Sequence, residues 1–470
     1  MKNAVLFLTL LLVSCGYTIR PADPATISLG PEYVFDVKAL PEILIEIEPE
    51  EWNRLLAFFA ANPENEECVH ADFTFIKNGQ SETLTNVGFR IRGNVYSRMA
   101  PEDDIVHTAD STQWQQSHFR IIFDKYGKSQ EFHTLEALNL KAFNGDPAMV
   151  REIYCFDLFQ RFGVTIAPRS SYVLLSIHVI GDEYPAYFGV YRMNESIDGA
   201  MMKNRFPGDP AGQLWKCLWP ADLVYSMMDD SIGMEKISPE SQSMSEKFAY
   251  DLKTKKTDFA QAKSNLIQFA ENLYKLEGKE LKSWLDKNLD VHQFLKAYAV
   301  NVLVGMWDDY WNNKNNYYIY RHSSGMWYFI PYDYDNTLGT FTGGFDATVD
   351  VFSWGQWAND SQRPLISKVL SIPEYRQAYS NYLVTLIDPG KGLFDAWASM
   401  NRIKEWHAMI KPWVDNDTTG PKKIKDNPAS WGEKPYYKLL SGDDDDYGSG
   451  VNYFKQRILY AQYQLNLIEE

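Results

Sequence analysis

Two neighbouring stretches decide how this sequence is interpreted: Gly305–Tyr320, GMWDDYWNNKNNYYIY, and Trp327–Gly339, WYFIPYDYDNTLG. The first carries a predicted helix into a run of acids and amides, and the second ends a short predicted hairpin in a pair of acids. Carboxylate and amide oxygens on adjacent loops are the hard ligands that Mg²⁺ and Mn²⁺ prefer, particularly when substrate phosphates complete the shell. A further aspartate nearby can orient or deprotonate a hydroxyl nucleophile. The pattern is typical of phosphoryl transfer.

The same stretches also have a structural interpretation. Asp and Asn are common in turns and at strand ends, because their short side chains bond to the local backbone. Composition and spacing therefore leave two possibilities open, a metal site and a set of ordinary turns.

The rest of the chain divides into a sheet-rich first half and a helix-rich second half, with the boundary near residue 196. Apolar residues alternate in the first half and recur at helical spacing in the second, which predicts an α+β fold. The first half has predicted strands at 44–47, 70–76, 86–92, 118–124, 138–140, 170–179 and 186–193, a helix at 49–61 and a turn at Asn78-Gly79. The second half has helical patterning at 245–304, 363–387, 394–411 and 453–468, with short strands near 317–321 and 326–330.

One further helix is predicted inside the sheet-rich half, from about Ala148 to Phe162. Asp146 is the expected N-cap, and Pro147 takes the first helical position, where its missing N–H costs nothing. Apolar side chains recur at helical spacing in this segment, which predicts a helix packed on a core. They are Met149, Ile153, Phe156, Phe159 and Phe162.

Composition limits the classes of function. The 470 residues are 45% hydrophobic and 15% aromatic, which is enough for a large core. Lys and Arg number 46 against 62 Asp and Glu, for a net charge of −16. An extended nucleic-acid-binding surface would have to overcome that field, so we expect no nucleic-acid partner. The eight histidines show no HxH or HExxH spacing, which disfavours catalytic zinc.

The first residues have the pattern of an export signal. Lys2 precedes an apolar run too short to span a bilayer, and Leu12-Val13-Ser14-Cys15 resembles the lipobox of bacterial lipoproteins, with Cys15 as the lipidated residue. We therefore expect a lipoprotein signal peptide at 1–14, a tether at 15–33 and a lipid-anchored protein of the cell envelope. A plain secretory signal is the alternative. The other cysteines, Cys68, Cys155 and Cys217, are expected to be buried apolar residues.

Several segments, in order along the chain, resemble the signature motifs of one protein family. The series covers roughly residues 40 to 385, most of the chain after the signal. It is similar to the CotH family, which is named for a spore-coat protein. The segments are Asn86–Asn94 (NVGFRIRGN), Leu138–Glu152 (LNLKAFNGDPAMVRE), Phe188–Glu195 (FGVYRMNE), Leu214–Lys216 (LWK) and the two acidic stretches quoted above.

The resemblance implies an atypical protein-kinase-like fold with two lobes around a nucleotide cleft, a sheet-rich N-lobe at 34–195 and a helix-rich C-lobe at 196–470. Such a protein uses ATP and Mg²⁺ or Mn²⁺ to phosphorylate a hydroxyl of a protein substrate. By the same resemblance, Asp308 matches the catalytic-loop aspartate, while Asn316 and Asp333 match the residues that hold the metal. Asp335, Asn315 and Asp309 are secondary candidates for the metal shell.

The cations that would contact phosphate are less clearly defined. Glu152 matches the family's acid on the N-lobe helix and is expected to pair with one of them. Arg120, Lys141 and Lys216 compete for that role, and Arg120 and Lys141 are favoured because they lie on strands before this helix. Arg92 stands where the family motif usually has Lys, which keeps the charge but not the compact ammonium.

Two functions therefore remain open for the sequence, besides a less favoured two-carboxylate hydrolase. The first is a lipid-anchored kinase that transfers phosphate from a nucleotide to a Ser or Thr hydroxyl of a secreted or surface protein. The second is a surface or periplasmic binding module on the same fold. The export signal favours the module, because ATP is scarce outside the cytoplasm. The acids Asp308, Asp333 and Glu152 favour the kinase.

Overall fold

The computed structural model describes most of the chain after residue 28. The described residues are 29–93, 99–109, 113–143, 146, 148–209, 211–235, 248–254, 258–340, 347–355, 363–414, 423–425 and 452–469. The predicted signal peptide, Cys15 and most of the predicted tether lie outside them. Within these residues, no helix is both long and apolar enough to cross a membrane.

The first half of the chain is dominated by strands. Trp52, Leu55 and Leu56 form the buried face of its first long helix, which begins at Pro49 as predicted and has two acids in its first turn. Along the chain the elements are α1 (Pro31–Val34), β1 (Glu42–Ile47), α2 (Pro49–Ala61), β2 (Val69–Lys77), β3 (Gln80–Ile91), β4 (Gln113–Gln115), β5 (Phe119–Ile122), β6 (Ala137–Lys141), α3 (Arg151–Arg161), β7 (Ser170–Val179) and β8 (Ala186–Glu195).

Seven of these strands close into a barrel in the order β1-β2-β3-β5-β6-β8-β7. A closed ring with an odd number of strands cannot be antiparallel throughout, and here the parallel pair is β1 with β7, with Glu42 opposite Leu174. The turn between β2 and β3 is formed by Asn78 and Gly79, both with positive φ, as the Asn-Gly pair predicts. The α+β prediction is confirmed, but barrel closure was not predicted from the sequence.

Helices dominate the second half, which also contains a five-stranded sheet in the order β10-β11-β9-β12-β13. The elements are α4 (Gly199–Arg205), β9 (Gln213–Cys217), β10 (Ile232–Gly233), β11 (Tyr250–Leu252), α5 (Phe259–Lys275), α6 (Gly278–Asn288), α7 (Val291–Leu303), α8 (Tyr310–Asn313), β12 (Tyr317–Arg321), β13 (Trp327–Pro331), α9 (Pro364–Leu370), α10 (Pro373–Ile387), α11 (Ala396–Val414), β14 (Lys423–Lys425) and α12 (Tyr453–Gln464).

Two hydrophobic cores organise the molecule. One fills the barrel with side chains such as Phe73, Phe119 and Phe188. The other runs through the helical half, and α3 belongs to it although its sequence lies between two barrel strands. The ring of Phe159 on α3 packs edge-on against Tyr334, with centroids 5.0 Å apart. Helix α3 therefore joins the barrel to the second core.

The structure differs from the sequence-based predictions in several places, and the predicted helix at 363–387 is divided into α9 and α10. Helix α3 begins at Arg151, later than predicted, and its N-cap is Val150 rather than Asp146. The segment 196–240, without a clear period in the sequence, contains α4 and β9. The strand β11 occupies part of the predicted helical run 245–304, because its short apolar segment completes a sheet rather than a helix.

The three cysteines of the described residues agree with the prediction. Cys68, Cys155 and Cys217 are buried free thiols. Burial is the main cause that raises the pKa of each thiol above its ordinary value. They serve as small apolar side chains of the fold.

Candidate active site

The Lys141 ammonium lies at the centre of the candidate site. Lys141 ends β6, and its Nζ lies 3.0 Å from Glu152 Oε2 on α3. The same Nζ lies 2.5 Å from Asp333 Oδ1 and 3.3 Å from Asp335 Oδ2, both on the loop after β13. A barrel strand, a helix of the second core and an acidic loop thus meet at one cation.

A second cation, Arg192, completes the cluster. It lies on β8 opposite Lys141 in the strand register. Its Nη2 donates to Asp335 Oδ2 at 2.9 Å, and its Nε lies 3.2 Å from Glu152 Oε2. Asn194, two residues further along β8, donates from Nδ2 to the same Glu152 oxygen at 2.8 Å.

Arg192 and Asn194 were not identified from the sequence. The signal that could have found Arg192 is a guanidinium inside the buried strand segment FGVYRMNE, where an unpaired charge would be too costly. Such a residue must have a carboxylate partner, and Glu152 was the nearest candidate on an adjoining element.

The charges of the cluster stabilise one another. Burial and Arg192 would lower the pKa of Lys141, but Asp333, Asp335 and Glu152 outweigh them and raise it above the ordinary value. Burial would raise the pKa of Asp335, but Lys141 and Arg192 hold it below its usual range. Lys141 is therefore a permanent cation of this site.

The structure joins α3 to the acidic loop by buried contacts of its first turn. Asp146 Oδ2 accepts the backbone N–H groups of Val150 and Arg151 at 2.9 and 2.8 Å, and its Oδ1 accepts from Arg151 Nη1 at 2.6 Å. Arg151 Nε also donates to the Thr337 carbonyl at 2.9 Å. The Asp146 carboxylate thus accepts the N–H groups at the start of the helix, as an N-cap side chain would, although Asp146 lies five residues before Arg151. The position of Glu152 relative to Asp333 follows from these contacts.

Asp308 lies in a separate network of amides. Its Oδ2 accepts from Asn316 Nδ2 at 2.9 Å, and its Oδ1 accepts from Asn313 Nδ2 at 2.5 Å and from Asn315 Nδ2 at 3.4 Å. Burial raises the pKa of Asp308, and the negative charges of Asp333 and Asp335 add to the shift. Asp308 therefore experiences the electrostatic field of the acidic loop.

Asp309, a secondary candidate for the metal shell, has a structural position. It is the N-cap of α8 and accepts the Asn312 backbone N–H at 2.8 Å. Its other oxygen accepts from Asn301 Nδ2 at 2.6 Å, and Asn301 in turn accepts from the Tyr334 hydroxyl. Burial raises the pKa of Asp309 to about 7. These contacts direct its carboxylate into the helical core.

Two of the candidate residues have left-handed backbone conformations. Asp333 has a φ of 62° and Asn316 a φ of 54°, a region that Asp and Asn tolerate better than other non-glycine residues. The sharp turn at Asp333 follows the end of β13 at Pro331. With this turn, the carboxylates of Asp333 and Asp335 both contact the Lys141 ammonium. In a regular strand, side chains two residues apart would likewise share a face.

The remaining predicted cations lie around this centre. Arg120 Nη2 donates to the Ser196 hydroxyl at 3.0 Å and lies 4.0 Å from Asp198 Oδ2, so its charge is directed away from Glu152. Arg92 donates to the Tyr332 hydroxyl at 3.4 Å, and the Lys216 ammonium lies 5.8 Å from the Tyr332 ring centroid. Of the three competitors for Glu152, the structure places Lys141 beside it.

The donor set fits a divalent cation. Glu152, Asp333 and Asp335 each offer a carboxylate oxygen, and these atoms all lie within 4.8 Å of one another. Three carboxylates are hard ligands suited to Mg²⁺ or Mn²⁺. Of these three, only Asp333 was a leading metal candidate in the sequence. Asn316 directs its Nδ2 to Asp308, which leaves its Oδ1 as the atom able to act as a ligand.

Comparison with known proteins gives two similarities. The family model described as "CotH kinase protein" matches residues 89–439. A weaker similarity is to "Invasin CotH3" of Rhizopus delemar, 24% identical over 136 residues. That alignment covers 28% of this chain and 22% of the invasin, so the chain corresponds to about a fifth of that relative.

Proposed function

Because the chain belongs to the CotH kinase protein family, we propose that it is an atypical protein kinase that transfers phosphate from ATP to a Ser or Thr hydroxyl of a protein. In this proposal the barrel is the N-lobe, the helical half is the C-lobe, and the cluster around Lys141 is the floor of the nucleotide cleft. The match over 89–439 includes every candidate catalytic residue named above.

The observation that carries the proposal is the Lys141–Glu152 pair beside Asp333. In protein kinases, a strand lysine pairs with a helix glutamate while a loop aspartate holds metal near the phosphates. Here the helix acid Glu152 and the loop acid Asp333 both lie within 3.0 Å of the ammonium of the strand lysine, Lys141. Three separate elements supply them, so the arrangement does not arise from proximity in sequence.

In the proposed reaction, Asp308 accepts the proton of the acceptor hydroxyl as its oxygen attacks the γ-phosphorus. The bond from that phosphorus to the β–γ bridging oxygen breaks, and ADP leaves with the electron pair. Burial and the neighbouring acids favour proton uptake by Asp308, because they raise its pKa. Asn316 and Asn313 fix both carboxylate oxygens by donating to them.

A bound Mg²⁺ or Mn²⁺ would neutralise phosphate charge as the β–γ bond breaks. Asp333, Asp335 and Glu152 are the carboxylates that would hold it. The family resemblance adds the Asn316 amide oxygen as a neutral ligand. Lys141 contacts all three of these carboxylates, so it would have to give up some of these contacts for a metal to bind among them.

The proposal also includes an exported, lipid-anchored location. The support is the sequence alone: the lipobox-like Leu12-Val13-Ser14-Cys15 after a short apolar run. Lipidation of Cys15 would place the kinase at the cell envelope and its acceptor among secreted or surface proteins.

The test is phosphate incorporation from γ-labelled ATP by the purified chain with Mg²⁺ or Mn²⁺, measured on itself and on a Ser-rich acceptor. We expect metal-dependent labelling that is lost in Asp333→Ala. The matched control is Asp229→Ala, an exposed acid paired with Lys263 at 2.9 Å, which should label normally. Equal labelling by the wild type and Asp333→Ala would refute the assignment of Asp333.

One observation favours the second candidate, a binding module without catalysis. Lys141 and Arg192 already neutralise most of the charge of the three carboxylates, which holds the cluster together without metal. If the purified chain shows neither labelling nor a thermal shift with ATP and metal, this second function is supported, and capture of a surface protein becomes the relevant activity.

A further inference from the structure

The last helix that the structure describes, α12, packs against the segment of chain that leads into Asp308. Its buried side chains are Tyr453, Phe454, Arg457 and Ala461. Helix α12 lies after residue 439, where the match to the family model ends. None of its residues was a candidate for the site in the sequence, so its contacts with this segment require a separate explanation.

Helix α7 ends a few residues before Asp308, and the turn that follows it is well defined. Gly305 has a φ of 68°, the left-handed conformation that ends many helices. Its N–H donates to the Val302 carbonyl at 3.3 Å, and the Met306 N–H donates to the Asn301 carbonyl at 3.1 Å. These two bonds form a Schellman motif, which sets the direction of the chain toward Asp308.

Helix α12 supplies donors to this helix end. The last carbonyl groups of a helix have no partner within it, so buried ones must find donors elsewhere. Arg457 donates to the Val302 carbonyl from Nε at 3.2 Å and from Nη2 at 3.0 Å, and the Tyr453 hydroxyl donates to the Leu303 carbonyl at 3.1 Å. A Cβ atom at Gly305 would lie 2.3 Å from the Tyr453 hydroxyl oxygen, so glycine is needed for this close approach.

The next carbonyl of the same turn connects the end of α7 to the acidic loop. The Val304 carbonyl accepts the Leu338 N–H at 2.7 Å. Leu338 lies three residues after Asp335, on the stretch that carries both acids of the loop. The end of α7 therefore has partners on α12 and on the acidic loop.

Arg457 also contacts a third part of the chain. The residue is fully buried, and its Nη1 donates to the Ala347 carbonyl at 3.2 Å and to the Val349 carbonyl. Its Cζ lies 5.6 Å from the ring centroid of Trp354, whose Nε1 donates to the Met306 carbonyl at 2.9 Å. One guanidinium thus joins the end of α7 to residues 347–349 and packs beside a tryptophan that binds the Gly305 turn.

A guanidinium suits this place for two physical reasons. The carbonyl groups at the carboxyl end of a helix carry a partial negative charge, which a nearby cation stabilises. Arginine also has five N–H donors in a rigid planar fork, so it can reach several carbonyls at once, whereas lysine is a point charge on a flexible stem. Loss of the guanidinium would remove donors from buried carbonyls of two separate segments.

We propose that Arg457 and Tyr453 of α12 are positioning residues for Asp308. By binding the last carbonyls of α7 they fix the conformation of residues 305–308, and so the place from which Asp308 meets the acceptor hydroxyl. The effect on phosphate transfer rests on the proposed kinase function, whereas the effect on the conformation of this segment does not.

The first measurement is the steady-state kinetics of phosphate transfer by the full purified chain. Arg457→Met keeps a long side chain but removes its charge and its donors. It should lower kcat by about tenfold or more while the KM for ATP stays within about twofold. Arg457→Lys restores a charge and should recover part of kcat. The matched control, Lys455→Gln, removes an exposed positive charge from the same helix and should behave like the wild type.

The second measurement is hydrogen exchange of backbone amides, which requires no kinase activity. In Arg457→Met, the amides of Gly305, Met306 and Leu338 should exchange about fivefold faster or more, because the carbonyls of this turn lose a fixed partner. The amides of β2 in the barrel should keep their protection. Tyr453→Phe removes one hydroxyl donor and should give a smaller change at the same amides, so it serves as the test if Arg457→Met does not fold.

The outcomes distinguish this inference from the proposed function. Faster exchange at Gly305 and Met306 together with a lower kcat supports the inference. The same faster exchange in a protein whose wild type transfers no phosphate supports the positioning of the segment and contradicts the kinase function. Unchanged exchange at these amides in both variants overturns the inference, as does an unchanged kcat in Arg457→Met. Faster exchange throughout the barrel, with kcat and KM both altered, would show a general structural role and also overturn it.

Discussion

Lys141 Nζ lies 3.0 Å from Glu152 Oε2, and this ion pair joins a barrel strand to a helix that packs in the other core. Both side chains are nearly inaccessible to solvent, with 8% and 1% of their surfaces exposed. Charges buried this deeply are stable only when each one has partners. The ion pair therefore connects the barrel to the second core in addition to forming part of the candidate site.

Glu152→Gln should therefore reduce stability. The amide keeps the shape and can still accept from Asn194, but it removes the charge facing Lys141 and Arg192. We expect the free energy of unfolding to fall by about 2 kcal/mol, measured by urea denaturation. Glu280→Gln, an exposed change on α6, should stay within about 0.5 kcal/mol of the wild type. Equal stability of Glu152→Gln and the wild type would show that the pair does not stabilise the fold.

Asp308→Asn should separate chemistry from binding. The amide cannot accept the proton of the acceptor hydroxyl, so kcat for phosphate transfer should fall by about 100-fold or more. The KM for ATP should change little, because Asp308 is bonded to Asn316 and Asn313 rather than to Lys141. A fall in affinity with unchanged kcat would contradict the role given to Asp308. Asp222→Asn, which lies beside Lys314, provides the control.

Asp146→Ala tests how α3 is held. The substitution leaves the buried Arg151 guanidinium without its carboxylate and exposes two backbone N–H groups that Asp146 now satisfies. Loss of one partner of a buried pair predicts destabilisation by about 3 to 5 kcal/mol. Asp258→Ala removes the N-cap of α5 at the surface, and should cost about 1 kcal/mol. Similar losses for the two variants would indicate that the Arg151 contact has no special weight.

His407 gives a pH dependence that lies outside the candidate site. Burial lowers its pKa to about 4, and its Nε2 donates to the Ala148 carbonyl at 2.8 Å. In the unfolded chain the His407 imidazole binds a proton near pH 6.5, whereas in the native chain it stays neutral until the pH approaches 4. The contribution of neutral His407 to the free energy of unfolding is therefore complete above pH 6.5 and is lost as the pH falls toward 4.

Between pH 6.5 and pH 4, protonation of His407 should lower the free energy of unfolding by about 3 kcal/mol. His407→Gln retains a donor for Ala148 and has no titrating group, so the wild type should lose more stability than the variant between pH 7 and pH 4.5. Urea midpoints at the two pH values provide the measurement. Parallel pH profiles for the two proteins would contradict the assignment.

Cys15→Ala tests the anchor. In cells fed an alkyne-labelled fatty acid, the wild type should incorporate the label and partition into detergent, and the variant should do neither. Cys68→Ala is the matched control, because Cys68 is buried in the barrel half and cannot be acylated in the folded chain. Labelling of Cys15→Ala at the wild-type level would exclude the lipobox assignment.

Local patterns predicted much of the fold correctly. The helix at 49–61 has its proline and acids where a helix begins, and the strands at 170–179 and 317–321 have the patterns of buried strands. These signals depend on residues close in sequence, so the sequence is sufficient to recognise them.

Contacts between residues distant in sequence could not be predicted from these local patterns. Nothing in the sequence of β1 indicates that Glu42 registers with Leu174, because strand partners distant in sequence leave no local periodicity. The candidate site shows the same limit. Glu152 and Lys141 were identified as a possible pair, but the position of Arg192 depends on the alignment of β6 with β8. Arg120 looked equally suitable until the structure placed it beside Ser196.

The interleaving of α3 with the barrel strands has a consequence for dividing the chain. A fragment ending at Glu195 would carry Phe159 without Tyr334, its partner in the second core, and would expose the apolar face of α3. The remaining fragment would lack the helix that fills that core. Neither piece is expected to fold alone, but the two expressed together should reassemble by complementation.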